Sequence, residues 1–230
     1  KEISHIENAT MEDVKNFFRV YYAPNNAFLS IAGDFKVADA KTWVLKYFGG
    51  IPRGKPITRP SIPQVALTTE TRLVFEDRVQ VPRLYIVWPT VGEKSDDRFA
   101  LSVLDAITAG PRTTRLTKAL VYDQQAANSV GTSQDSSEDT GEWQLTITPR
   151  PGHSLTELEA AADALLEKLK TEGPTKEEIQ RATAGLEFSF VSNLQSNLGK
   201  AMTLPDGAGI HKNPGYFQNE YQKMIAVTPA

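Results

Sequence analysis

Three histidines, His5, His153 and His211, are the first residues to weigh for chemistry, because an imidazole can ligate a metal or move a proton near neutral pH. They stand far apart, none has another within helical reach, and each lies beside a turn or cap signal. They read as surface residues, and no metal ligand is assigned within the chain. The sequence has no cysteine, which excludes thiolate ligands, a cysteine nucleophile and disulfides while leaving the redox compartment open. No serine, histidine and acid set has motif context, so no catalytic residue is assigned. The run Asp135-Ser136-Ser137-Glu138-Asp139-Thr140-Gly141-Glu142 alternates oxygen donors but lacks the spacing of a calcium loop, and a solvated hairpin loop accounts for it. The turn from Ala109 to Arg115 sets Arg112, Thr113 and Arg115 at a helix N-terminus, an arrangement suited to an anion or a peptide carboxylate. A plain helix-to-helix turn, with Gly110 and Pro111 ending one helix and starting the next, explains the same residues, and local physics favours it.

The elements that would position these residues follow from periodicity and punctuation. Thr10 caps a helix from Met11 to about Tyr22, with Asp13 three residues on. The pattern then predicts a strand at Ala27 to Ala32 and a helix from about Val37 to Phe48. Between Ile51 and Pro63, four prolines alternate with Arg53, Lys55 and Arg59, the composition of an extended linker. Beyond it, Thr71 to Glu76 and Arg83 to Trp88 read as strands, the second with Leu84, Ile86 and Trp88 on one face and Tyr85 and Val87 on the other. Helices are predicted at Arg98 to Ala109, with Phe99, Leu101, Leu104 and Ile107 on the apolar side, and at Thr113 to Tyr122, with Leu116 and Leu120 in register. Ala126 to Ser133 and Gly141 to Thr148 form a hairpin around Gln134 to Thr140. Ser154 to Glu157 and Thr175 to Glu178 are capping boxes that open two further helices, the first closed by Gly173 and Pro174. Glycine and proline break the pattern from Leu204 to Gly215, before a short helix at Tyr216 to Met224. The expected fold is α+β, a largely antiparallel sheet with helices packed on one face, preceded by a helix-strand-helix segment from a neighbouring domain.

A chain of 230 residues with 40% hydrophobic and 23% charged residues can bury a sizeable core in one or two domains. A net charge of -3 favours neither nucleic acid nor an anionic membrane as partner, and no apolar run is long enough to span a bilayer. Lys1 in place of a methionine, and a helix-start signal at Thr228-Pro229 with no helix after it, suggest a piece of a larger protein.

Several separated stretches resemble the insulinase, or pitrilysin, type of zinc metallopeptidase. They are Ala9 to Asn26 followed by Ile31-Ala32-Gly33-Asp34-Phe35, Lys46 to Pro52, Val81 to Pro89, Arg115-Leu116 with Leu120-Val121-Tyr122, and Glu172 to Thr175 with the helix after it. The resemblance covers almost the whole chain in the family's order. It implies a zinc site built on an inverted H-x-x-E-H motif, whose glutamate is general base on zinc-bound water, lying before Lys1. Residues 1-50 would be the C-terminal part of the metal-bearing domain, residues 51-64 a proline-rich linker, and residues 65-230 a non-catalytic domain, truncated at its C-terminus, that helps enclose a peptide. The fragment alone is expected to be inactive, with zinc in the intact parent, a peptide as substrate, and a second half or partner subunit closing the chamber. The Gly110 to Arg115 turn sits where some relatives carry a glycine-rich substrate loop, here shortened to one glycine. Val121 and Asn128 stand where the half lacking zinc supplies an arginine and a tyrosine, which implies the metal-bearing half. The family also points to a bacterial periplasm. A relative that has lost zinc and works as an assembly or interaction subunit is the alternative, which the upstream sequence would discriminate.

Overall fold

The computed structural model describes residues 3–63 and 66–229. Contacts divide the chain into two units, Lys1–Ile62 with Gln195–Pro214, and Pro63–Leu194 with Gly215–Ala230.

The first unit contains helices α1 (Ile3–Glu7), α2 (Met11–Tyr21), α3 (Val37–Phe48) and α7 (Asn197–Ile210). The expected cap on α2 is formed: the Asp13 N–H donates to the Thr10 hydroxyl at 3.2 Å, and the Thr10 N–H donates to the Asp13 carboxylate at 2.8 Å. A short 3₁₀ turn, Pro24–Asn26, follows. Its Asn25 side chain accepts from the Gly54 N–H at 2.7 Å and donates to the Lys55 carbonyl, which ties the start of the proline-rich stretch to this turn. Gly54 has to be glycine, because a Cβ there would lie 2.5 Å from that of Ala23. The strand predicted at Ala27 to Ala32 is not formed. Ala27 is in the extended region, but among the described residues no strand pairs with the segment, and a strand exists only through its neighbour's hydrogen bonds. The predicted break from Leu204 also fails, because α7 continues through Pro205 to Ile210. Gly207 explains why the chain turns sharply soon afterwards: a side chain there would meet the Asn213 carbonyl oxygen at 2.5 Å.

The second unit is built on a three-stranded antiparallel sheet in the order β1 (Leu84–Val91), β3 (Thr140–Pro149), β2 (Ala127–Ser136). Its register sets Leu84, Ile86 and Trp88 opposite Ile147, Leu145 and Trp143. These alternate residues make one apolar face, and the Trp88 and Trp143 rings lie 5.0 Å apart. Tyr85 and Val87 point to the other face and are exposed, as the alternation predicts. Against the apolar face pack Leu116 and Leu120, and Leu158 and Ala162 of α5 (Leu155–Glu172). All four side chains are fully buried. A second cluster joins Val103 and Ile107 of α4 (Asp97–Thr108) to Ile179 and Ala182 of α6 (Lys176–Gln195). The α+β class and the antiparallel sheet with helices on one face are therefore observed.

Three local departures carry a physical reason. Thr71 to Glu76 forms no strand; Arg72 is held by Glu159 at 2.7 Å and by Glu70, but Val74 is 90% and Phe75 86% exposed, and among the described residues no strand lies alongside. The helix predicted at Thr113 to Tyr122 becomes a π-helix over Thr117–Asp123, closed by Gln125 in the left-handed region (φ 53°). At the start of α5, Ser154 caps the Glu157 N–H at 3.1 Å, but the Glu157 carboxylate turns to His153 Nδ1 at 2.9 Å instead of completing the box. Helix α8 (Phe217–Ile225) is held to the start of α4 by Arg98 with Glu220 and by Lys223 with Asp96 at 2.6 Å. In urea denaturation, Leu145→Ala should cost about 2–5 kcal/mol, as expected for a buried leucine, whereas Val87→Ala on the open face should cost clearly less.

Candidate functional site

The Gly110 to Arg115 turn leaves α4 through a network that fixes its shape. Gly110 has φ +121°, a conformation that L side chains rarely adopt, and its N–H donates to the Thr117 hydroxyl at 3.1 Å. The Thr114 N–H and hydroxyl both donate to the Pro111 carbonyl, at 2.9 and 2.7 Å. The three residues expected to meet a ligand have different surroundings. Arg112 lies over the Tyr122 ring, 4.5 Å from its centre. Thr113 is exposed. Arg115 turns away from solvent: its Nε and Nη2 donate to the two carboxylate oxygens of Glu178, each at 2.7 Å, and Nη2 also donates to the Gly173 carbonyl at 3.0 Å. This is the bidentate fork that guanidinium and carboxylate geometry favours.

Glu178 is held from a second side. Its carboxylate accepts from the Thr175 N–H at 2.8 Å and its own N–H donates to the Thr175 hydroxyl at 3.2 Å, so the capping box of α6 is complete. The Arg115 guanidinium, aided by the Thr175 N–H, holds the Glu178 carboxyl down at about 2 against burial, which pulls the other way. Between the turn, the end of α4 and α6 lies a groove of about 310 Å³, floored by Ile107 and Leu186 and edged by Thr113, Arg181 and Ser189. Sequence reasoning found the turn but not the groove, because Arg115 and Glu178 are 63 residues apart and neither carries a motif.

The other candidates resolve into local structure. In the acidic hairpin loop, Lys94 Nζ sits 3.1 Å from Glu138 and 2.9 Å from Asp139, a lysine ammonium where the calcium alternative would set a cation. His5 lies in α1, His153 is at the start of α5 bonded to Glu157, and His211 is the C-cap of α7. Val121 lies in the π-helix, and Asn128 lies at the irregularity in register between Ala127 and Ser129 of β2. The sequence gives no hint of one further pair, Asp105 of α4, whose carboxylate accepts from Trp143 Nε1–H at 3.1 Å; burial raises this carboxyl above its usual range, a shift the indole hydrogen bond opposes.

Because Glu178 is depressed in the folded state, the stability it contributes is complete above about pH 4.5 and is lost as pH falls toward about 2. Acid denaturation followed by circular dichroism should show this loss in the wild type and a flatter profile across that window in Glu178→Gln. Arg115→Ala should lower stability by about 1.5–3 kcal/mol in urea, the range for hydrogen bonds to a charged group. Calcium titration in a calorimeter should give no heat, since the Lys94 ammonium already sits between Glu138 and Asp139.

Comparison with known proteins places the chain in a family. The zinc protease PqqE of Helicobacter pylori is 24% identical over 198 residues, covering 84% of this chain and 44% of that protein. A crystal structure of a protease from Helicobacter pylori superposes with a TM-score of 0.84 at 22% identity, covering 99% of this chain and 55% of that one. A chain of Complex III2 from Candida albicans matches at 0.78 and 14% identity over 98% of this chain and 55% of its own. The periplasmic protease PqqL of Escherichia coli matches at 0.61 and 17% identity over 86% of this chain and 22% of its own. The chain thus spans about half the length of the curated relative and of the first of these structures. Among the described residues, no helix is long and apolar enough to cross a membrane. Residues 8–186 match the model of the Peptidase M16 inactive domain, and the chain belongs to that family.

Proposed function

We propose that this chain is part of a zinc metalloendopeptidase that hydrolyses peptides, the part that lacks the zinc site and forms a wall of the substrate chamber. The observation that carries this is the match of residues 8–186 to the inactive domain of a peptidase family, in a chain that spans 44% of a zinc protease. Residues 1–50 then belong to the end of the metal-bearing domain, residues 51–64 to a linker, and residues 65–230 to the non-catalytic domain. Zinc and its ligands belong to the longer protein, which acts with a second half or partner subunit and, in keeping with the PqqL likeness, in a bacterial periplasm. The turn with Arg112, Thr113 and Arg115 is the proposed contact with peptide. Arg115 holds the turn in place through Glu178, while Arg112 and Thr113 face outward.

A second reading, a family relative that has lost zinc and serves in assembly, is favoured by the likeness to a chain of Complex III2. One experiment separates the two. The longer protein, expressed with the sequence that precedes this chain in its gene, should cleave an unstructured fluorogenic peptide, lose activity to a zinc chelator and regain it with zinc. The 230-residue chain alone should show no turnover with or without zinc. A longer protein with no H-x-x-E-H motif and no turnover would establish the assembly reading instead.

A further inference from the structure

Gly185 lies in the middle of α6, where glycine weakens a helix relative to alanine. Its backbone is not in the left-handed region, and a Cβ built there meets nothing within 4 Å. Neither backbone conformation nor close packing calls for glycine at this position. Its effect is on the groove. Glu178, Ala182, Gly185 and Ser189 follow one another along a single stripe of α6, and that stripe is one wall of the 310 Å³ groove. A missing side chain at Gly185 keeps that wall low.

The chemistry of the groove is divided. Its floor is aliphatic, with Ala106, Ile107 and Leu186, and its rim carries the hydroxyls of Thr113 and Ser189 and the guanidinium of Arg181. The Glu178 carboxylate at the rim is neutralised by Arg115. Arg181 has no ion pair with any described residue and supplies the rim's unbalanced positive charge. An occupant that satisfies both parts needs an apolar group and an anion side by side. An acidic side chain would bring its charge into the apolar floor, which is costly. The C-terminal residue of a peptide carries an aliphatic side chain and a carboxylate on one carbon.

We propose that the groove between α4 and α6 holds the C-terminal residue of a peptide, its aliphatic side chain on Ile107 and Leu186 and its α-carboxylate at Arg181. The choice of a peptide rests on the proposed peptidase function, but binding is read on its own. An N-terminally labelled hexapeptide ending in leucine, as free acid and as C-terminal amide, would be titrated with the 230-residue chain by fluorescence anisotropy. The amide should bind about tenfold more weakly, the loss expected when a charged hydrogen bond is removed. Arg181→Gln should weaken the acid by a similar factor and leave the amide unchanged. Gly185→Leu should abolish binding of both while thermal stability stays equal or rises, because leucine is the better helix former and enters open space. Equal binding of acid and amide, undiminished binding by Gly185→Leu, or no binding at millimolar chain would overturn the proposal. Peptide turnover by the longer protein is a separate readout, so failure of the peptidase reading and failure of this site give different results.

Discussion

One ion pair ties together three elements of the second unit's helical layer, over the apolar packing beneath them. Arg115 stands at the end of the turn after α4, Glu178 in the first turn of α6, and their bidentate contact joins two elements that the chain keeps far apart. Glu178 serves three purposes at once: it completes the capping box with Thr175, it receives the guanidinium fork, and it lines the groove. Arg115 also satisfies the Gly173 carbonyl, where α5 has ended in a left-handed glycine. The end of α5, the start of α6 and the exit from α4 thus share one charged centre. Such a centre is worth more than a surface pair, because both side chains are largely withdrawn from water.

Features set by neighbouring residues were legible in the sequence. The alternation from Leu84 to Trp88 names the buried face of β1, the spacing of Leu116 and Leu120 names two fully buried side chains, and the threonines at 10 and 175 start helices where predicted. Features that need a distant partner were not. Ala27 to Ala32 and Thr71 to Glu76 have the composition of strands, but composition cannot supply the neighbouring backbone that makes one. Pro205 looks like a stop, yet α7 carries it, and the true turn is set by the close approach at Gly207. The π-helix at Thr117–Asp123 has no local signature, since so short a segment makes too few turns for its period to be read.

The candidate site was legible only in outline. Arg112, Thr113 and Arg115 were visible as a turn with two cations, but the division of labour among them is a product of packing: one guanidinium stacks on Tyr122, and the other is committed to Glu178. Arg181 and Gly185 had no signal at all, being an ordinary surface charge and an isolated helical glycine until the fold sets them beside the end of α4. The family was carried by separated stretches rather than by a motif, and its model indeed extends over residues 8–186.

The open run at Thr71 to Glu76 has a consequence for how this polypeptide behaves in solution. Leu73, Val74 and Phe75 are successive, exposed and outside any described strand, so their backbone is open to pairing with another molecule's chain. Glu70, Arg72, Glu76 and Asp77 flank them on both sides, and charges in that position act as gatekeepers that repel a second copy in the same register. This short stretch and its salt-sensitive flanks thus bear on how copies of the chain meet in solution, while the buried sheet bears on its thermodynamic stability.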